Sequence, residues 1–233
     1  MNLPFFYHEN LSNINSLDED TSKYLVNVLR RKIGDEVILT DGKGTKAFGS
    51  ISDDNRKRSV IKVHSTVLEE KRKPHISVAI SLIKNSSRFE WFLEKAAEIG
   101  VNEIIPCISR RTEKQNFKPD RMKSILVSAM LQSQQTWLTQ LHQPLTLQEI
   151  FRINAEQKYI AHCLEDNKQH LSTLIQNNIS SLVLIGPEGD FTTEEIQSAI
   201  EHDFIPVTLG DTRLRTETAG IVAAVIMSLQ KLL

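Results

Sequence analysis

The chain has 233 residues, 40% of them hydrophobic and 24% charged, and a formal net charge of −1. That length accommodates one or two domains with a full core. That balance excludes a disordered polyelectrolyte, and the net charge gives no evidence for nucleic acid.

The N-terminal residues Met1 to His8 lack a basic stretch followed by an apolar run, so no signal peptide is expected and the protein is read as cytoplasmic. Residues 36–40 are rich in β-branched and aliphatic side chains and predict a strand. Asp41-Gly42-Lys43-Gly44 follows as a turn, and residues 46–51 and 59–67 predict two more strands around the polar turn at 52–55. Several short strands within 70 residues suggest a small β-barrel. Residues 1–73 carry 13 Lys/Arg against 11 Asp/Glu. So slight an excess describes a solvated surface as well as a nucleic-acid face. The charged run 69–73 ending at Pro74 marks the domain boundary, giving domains over 1–70 and 75–233.

Beyond Pro74, strand-like runs at 75–83, 103–108, 158–163, 182–185 and 204–209 alternate with helical periodicity. Phe89, Phe92, Leu93, Ala96 and Ile99 fall on one face of a helix, and Ser87 with Glu90 fits a capping box at its start. Thr192 and Glu195 mark a second helix start in the same way. Alternation of this kind predicts an α/β domain with a parallel sheet covered on both faces. The last segment, from Ala219, is apolar nearly all round; burial in the core and a dimer interface both account for it. The longest apolar stretch, 219–227, is too short to span a bilayer, so no membrane role is expected. Cys107 and Cys163 lack a CxxC partner and read as small buried hydrophobes in a reducing compartment. The seven scattered histidines form no ligand motif, so no metal is expected.

Two loops are candidates for chemistry. Ile185-Gly186-Pro187-Glu188-Gly189 leaves a strand and enters the helix at Thr192, where α/β sheets bind ligands. Its glycines permit close backbone approach or positive φ. It lacks the ending of a phosphate-binding loop, and Glu188 and Asp190 disfavour an anion there, so a cationic or neutral ligand fits better. A tight turn without a ligand has the same spacing. The second loop, from Leu209-Gly210 to Ala219, holds Arg213, Arg215 and Glu217 beside capping threonines. It fits a second pocket wall, or an Arg–Glu pair that only tacks the loop to the last helix.

These two loops together resemble the signature pair of the SPOUT methyltransferases. Among them, the chain is similar to the family of 16S ribosomal RNA (uracil-N3)-methyltransferases. Further matches run in the family's order through Tyr24 to Arg30, Gly34-Asp35, Lys84, Arg88, Glu90 to Val101, and Pro106. The resemblance implies a PUA-like β-barrel followed by a SPOUT domain with a trefoil knot, a homodimer, S-adenosylmethionine as methyl donor, and 16S rRNA or the small ribosomal subunit as substrate. It places His162, Ile185, Gly186, Pro187, Glu188, Gly189, Leu209, Gly210, Leu214, Arg215 and Thr216 around the donor. Arg215 and Glu217 become the catalytic candidates, the arginine facing developing negative charge and the glutamate orienting it or relaying a proton. Lys23, Arg30, Arg31, Lys32, Lys84 and Arg88 become RNA-binding candidates. Three departures stand out. The family has histidine where Tyr24 stands and glycine where Asp190 stands, and its Glu-Gln-Ser helix motif survives only as Gln132-Ser133. Two other readings fit the same residues: a transfer-RNA enzyme of this fold, and a non-catalytic ribosome-assembly factor.

Overall fold

The structure, a computed structural model, describes residues 3–113, 117–164 and 167–229. It divides into two compact units. The first comprises Met1–Lys71 with Met130–Leu138, and the second comprises Arg72–Ala129 with Thr139–Leu233.

The first unit is a five-stranded sheet. Its elements are β1 (Phe5–Tyr7), β2 (Ile14–Ser16), helix α1 (Glu19–Lys23), a π-helical turn (Tyr24–Val28), β3 (Glu36–Thr40), β4 (Thr45–Asp53) and β5 (Val60–Leu68). The strand order is β1-β3-β4-β5-β2. Alternate side chains of β3 and β4 (Val37, Leu39, Ala47, Ile51) turn inward onto Phe6, Leu17, Leu25 and Ile61 to form its core. Register shifts in β4 at Phe48/Gly49 and Ile51/Asp53 bend the sheet, as bulges do. The edges β1 and β2 do not pair, so the expected small barrel is corrected to a curled, open sheet. The expected turn at 41–44 forms. Asp41 accepts from the amides of Lys43 and Thr45, at 2.7 and 3.1 Å, and Gly42 and Gly44 take φ of 71° and 98°.

Residues 130–138 belong to this unit through backbone bonds from Gly44 N–H to the Thr136 carbonyl and from Leu138 N–H to the Gly42 carbonyl, each 2.9 Å. Trp137 donates its indole N–H to the Glu69 carbonyl at 3.0 Å. A Cβ on Gly44 would lie 2.5 Å from the Trp137 ring, so both φ and space demand glycine there. Nothing in the hydrophobic pattern marks 130–138 as part of the first unit.

The second unit is built on β6 (Ile76–Ser81), α2 (Ser86–Ile99), β7 (Glu103–Ile108), α3 (Pro119–Gln132), β8 (Gln140–Leu141), β9 (Leu145–Thr146), α4 (Leu147–Phe151), β10 (Gln157–Ala161), β11 (Gln169–His170), α5 (Leu171–Leu174), β12 (Ser181–Ile185), α6 (Thr193–Glu201), β13 (Ile205–Thr208) and α7 (Thr216–Leu229). Every ladder is parallel, in the order β11-β13-β10-β12-β6-β7-β8, with β9 on β7. Every residue of β6 and β12 is buried, as expected of central strands covered on both faces.

Helix α2 buries Phe89, Phe92, Leu93, Ala96 and Ala97, and ends at Gly100 with φ 92°. Its start differs from expectation. Asn85 is the N-cap, accepting from the Ser87 amide at 3.0 Å, while Glu90 takes both Nε and Nη2 of Arg121, at 2.5 and 2.8 Å. The asparagine two residues upstream of the expected cap takes that role, leaving Glu90 available for a bidentate ion pair. The expected box at Thr192 and Glu195 does form. Helix α7 packs on α2, β6 and β12 through Gly220, Ala223, Ala224 and Met227. Val225 and Leu229, on the same helix, are exposed.

Candidate active site

Strands β13, β10 and β12 are neighbours, and the loops leaving their carboxyl ends enclose a cavity of about 630 Å³. This is where a parallel α/β sheet offers backbone groups to a ligand, and the volume suits a ligand of nucleoside size. Ala161, His162 and Cys163 come from the β10 exit, and Ile185 through Glu188 with Asp190 from the β12 exit. The stretch Val207 to Thr216 supplies the third wall, and Ala219 of α7 closes it. Ten of the eleven cofactor candidates therefore meet in one cavity: His162, Ile185, Gly186, Pro187, Glu188, Leu209, Gly210, Leu214, Arg215 and Thr216.

Gly189 is the exception and does not line it. Its carbonyl accepts from Arg111 Nη1 at 2.7 Å, which turns the residue outward from the cavity. Space at Gly186 is tight, since a Cβ there would meet the Phe191 ring at 3.0 Å. Neither glycine of this loop takes positive φ. The left-handed residue is Asp190, at φ 62°. Gly210 has φ 141°, a conformation that side chains rarely adopt, and its N–H and carbonyl both bond the Thr208 hydroxyl.

Residues that the sequence did not single out complete the walls. Lys168 donates to the carbonyls of His162, at 3.0 Å, and of Leu164. Asp211 and Thr212 lie on the third wall, beside Arg213, which the sequence reading already places in that loop. Cys163 is exposed and lines the cavity, a correction to its expected burial; Cys107 is buried on β7, and burial pushes its thiol pKa up. The carboxylates of Glu188, Asp190 and Asp211 share the lining with Lys168, Arg213 and Arg215. That mixture suits a zwitterionic or cationic ligand better than a polyphosphate.

The catalytic candidates separate. Arg215 is exposed on the cavity wall, and its carbonyl accepts from Ala219 N–H at 2.7 Å. Glu217 is buried off the cavity, with Oε1 3.7 Å from Arg88 Nε and Oε2 lacking a hydrogen-bond partner. The expected Arg215–Glu217 pair is therefore corrected to an Arg88–Glu217 pair. In the first turn of α7, an arginine at 215 precedes the helix while a glutamate at 217 lies within it, and the two side chains diverge. Among the other basic candidates, Lys84 pairs with Glu113 at 2.6 Å and Lys23 with Glu19 at 2.8 Å. Arg30 is exposed at φ 53°, Lys32 is exposed, and Arg31 is half-buried. Among the described residues, no group of three or more His, Cys, Asp or Glu is placed to hold a metal, and no helix is long and apolar enough to cross a membrane.

Comparison with known proteins gives this geometry relatives. Residues 69–228 match the RNA methyltransferase domain family, and residues 17–63 match the RNA methyltransferase PUA domain. A protein of Synechocystis sp. named ribosomal RNA small subunit methyltransferase E is 32% identical over 208 residues, 86% of this chain and 68% of that protein. The crystal structure of a probable rRNA-methyltransferase from Porphyromonas gingivalis superimposes with a TM-score of 0.91 at 35% identity, covering 95% of each chain. A ribosomal RNA small subunit methyltransferase E from Neisseria gonorrhoeae, bound to S-adenosyl methionine, gives 0.84 at 28% identity, covering 99% of this chain and 98% of that one. With most of its length matched by the family and its cavity at the ends of β10, β12 and β13, the chain belongs to the RNA methyltransferase family that includes the ribosomal RNA small subunit methyltransferases E.

Proposed function

We propose that this protein methylates N3 of a uridine in 16S ribosomal RNA, with S-adenosylmethionine bound in the cavity described above. The observation that carries the reading is the convergence of three strand-end loops on that cavity, in a chain that shares its fold with a relative bound to the same donor. The residues fit the group. Ile185, Val207, Leu209 and Leu214 offer apolar walls for an adenine, while Lys168 and the carboxylates of Glu188, Asp190 and Asp211 offer charges of both signs for an amino-acid moiety. When bound, S-adenosylmethionine supplies a methyl group already activated by its sulfonium.

The protein's own task is then alignment, exclusion of water and handling of one proton. N3 of neutral uracil carries a proton and is a poor nucleophile, and its loss spreads negative charge onto O2 and O4. Arg215 is the donor available on the cavity wall to stabilise that charge. Glu217 acts more remotely, holding Arg88 at the start of α2. Because N3 lies on the pairing edge, the target uridine is read unpaired or flipped from its stack. Lys23, Arg30, Arg31 and Lys32 supply phosphate contacts from the first unit, with Lys84 and Arg88 on the second.

The same reading includes a trefoil knot around α7, a homodimer and a cytoplasmic location. Val225 and Leu229, exposed on α7, support the dimer as apolar surface awaiting a second copy. Reverse transcription across 16S RNA tests the function. N3 methylation blocks pairing, so the wild-type strain shows a stop that a deletion strain loses and the added gene restores. An unchanged stop profile overturns the assigned substrate.

A further inference from the structure

The parallel ladder between β10 and β12 ends at the pair Ala161 and Ile185. Beyond that rung the continuations of the two strands, His162-Cys163 on one side and Gly186 to Glu188 with Asp190 on the other, line the cavity. The tie across the gap is the Asp190 carboxylate. Its Oδ2 accepts from the Cys163 amide at 2.8 Å, and its Oδ1 accepts from the Phe191 amide, also at 2.8 Å. Asp190 also closes a turn, its N–H donating to the Pro187 carbonyl at 2.9 Å.

Two further contacts hold the same loop from its other side. Lys84 N–H donates to Glu188 Oε1 at 3.2 Å, and Arg111 Nη1 donates to the Gly189 carbonyl at 2.7 Å. Three consecutive residues are thus anchored to three different strand exits, those of β6, β7 and β10. Only the Asp190 tie reaches a segment that itself lines the cavity.

The backbone shows that this tie has a cost. Asp190 sits at φ 62°, where an L-residue with a side chain is disfavoured and glycine is not. Aspartate is among the residues that tolerate the conformation, because its short carboxylate bonds nearby amides. Here it bonds one local amide and one across the cavity mouth.

We propose that Asp190 is a positioning residue that locks the β10-exit and β12-exit walls together, so that the donor pocket is formed before S-adenosylmethionine arrives. The proposal rests on the cofactor assigned under Proposed function. Preorganisation of this kind raises affinity by removing the ordering that binding otherwise has to impose.

Asp190→Gly separates the tie from the backbone, because glycine accepts φ 62° freely and removes only the carboxylate. Calorimetric titration with S-adenosylmethionine should show affinity lowered about tenfold, the size expected from losing charge-assisted hydrogen bonds. The thermal midpoint of the ligand-free variant should be equal or raised, because the strain is gone. Asp190→Asn, with a single acceptor oxygen, should fall between wild type and glycine. In the ligand-free protein, hydrogen exchange at the Cys163 amide should accelerate in Asp190→Gly.

Equal affinity in wild type and Asp190→Gly overturns the proposal. Lost affinity accompanied by a lowered ligand-free midpoint overturns it too, since that marks a merely structural residue. Unchanged exchange at Cys163 overturns the tie itself, whatever the ligand does. No heat with wild type refutes the cofactor reading, and with it the pocket role, while the exchange experiment still reports on the tie separately.

Discussion

Arg215 and Glu217 stand two positions apart, and their side chains serve different neighbours. Arg215 faces the cavity and Glu217 faces Arg88. Arg215→Ala should therefore lower kcat for methyl transfer by about a hundredfold or more, the usual loss when a charge-stabilising donor is removed. Its unfolding free energy should stay within about 0.5 kcal/mol of wild type, as for other exposed positions. Retained turnover in a single-turnover assay moves the catalytic role elsewhere. A second residue-scale expectation concerns Glu103, at the amino end of β7. A hydrogen bond from His75, supported by one from Ser77 at 2.9 Å and by His142, holds its carboxyl at about 2, below the ordinary 4.5. A depressed acid stabilises the fold above its unfolded pKa and loses that contribution as pH falls through the folded one. Glu103→Gln should cost ~1–2 kcal/mol at neutral pH, after discounting for solvent screening at this part-exposed carboxylate. The difference from wild type should shrink as pH drops from about 4.5 toward 2. Urea unfolding at a series of pH values measures it; a pH-independent difference refutes the electrostatic account.

Among the elements, those with strong periodicity were the legible ones. Strand β3 spans the residues expected, and α2 buries four of the five side chains assigned to its inner face. Short elements whose existence depends on a partner, such as β1, β2, β8 and β11, carry too few residues to show a period. The site loops were legible because Gly-rich strand exits are local, whereas Asp190 and Arg111 act through contacts with residues distant in sequence. Helix α7 illustrates the middle case. Its apolar character was evident, but the position where it approaches its neighbours most closely was not. A Cβ at Gly220 would lie 2.7 Å from the Phe92 ring and 2.9 Å from Ile80 Cδ1. The ring is fully buried and has little room to withdraw. Helix propensity alone favours Gly220→Ala by about 1 kcal/mol, but overpacking a tight core costs typically 1–3 kcal/mol. Gly220→Ala should thus destabilise by up to about 2 kcal/mol, and Gly220→Val by more. A rise in the urea midpoint of Gly220→Ala would show that Phe92 and Ile80 yield freely.

At the scale of the whole molecule, the chain leaves the first unit at Lys71, returns for Met130–Leu138 and leaves again. The charged run before Pro74 signals the first departure in the sequence. The return is silent, because α3 runs on to Gln132 with no break where the unit changes. Residues 1–71 alone would therefore lack Trp137, which fills the space beside Gly44, and Thr136, whose hydroxyl donates to Glu69 at 2.7 Å. They would also lose the backbone partners of Gly42 and Gly44. The sheet's small core, eight buried hydrophobic side chains, leaves little stability to spare once those contacts are gone. A fragment of residues 1–71 should show poor amide dispersion in its NMR spectrum and no cooperative thermal transition. In the intact chain, Trp137→Ala should destabilise by about 1–3 kcal/mol, less than for a fully buried aromatic because the ring is half-buried. Its amide exchange should rise across β3 and β4 before it rises in β6 and β12. A well-dispersed, cooperatively melting fragment would show instead that the sheet folds without its second segment, and that the boundary legible at Pro74 is the whole boundary.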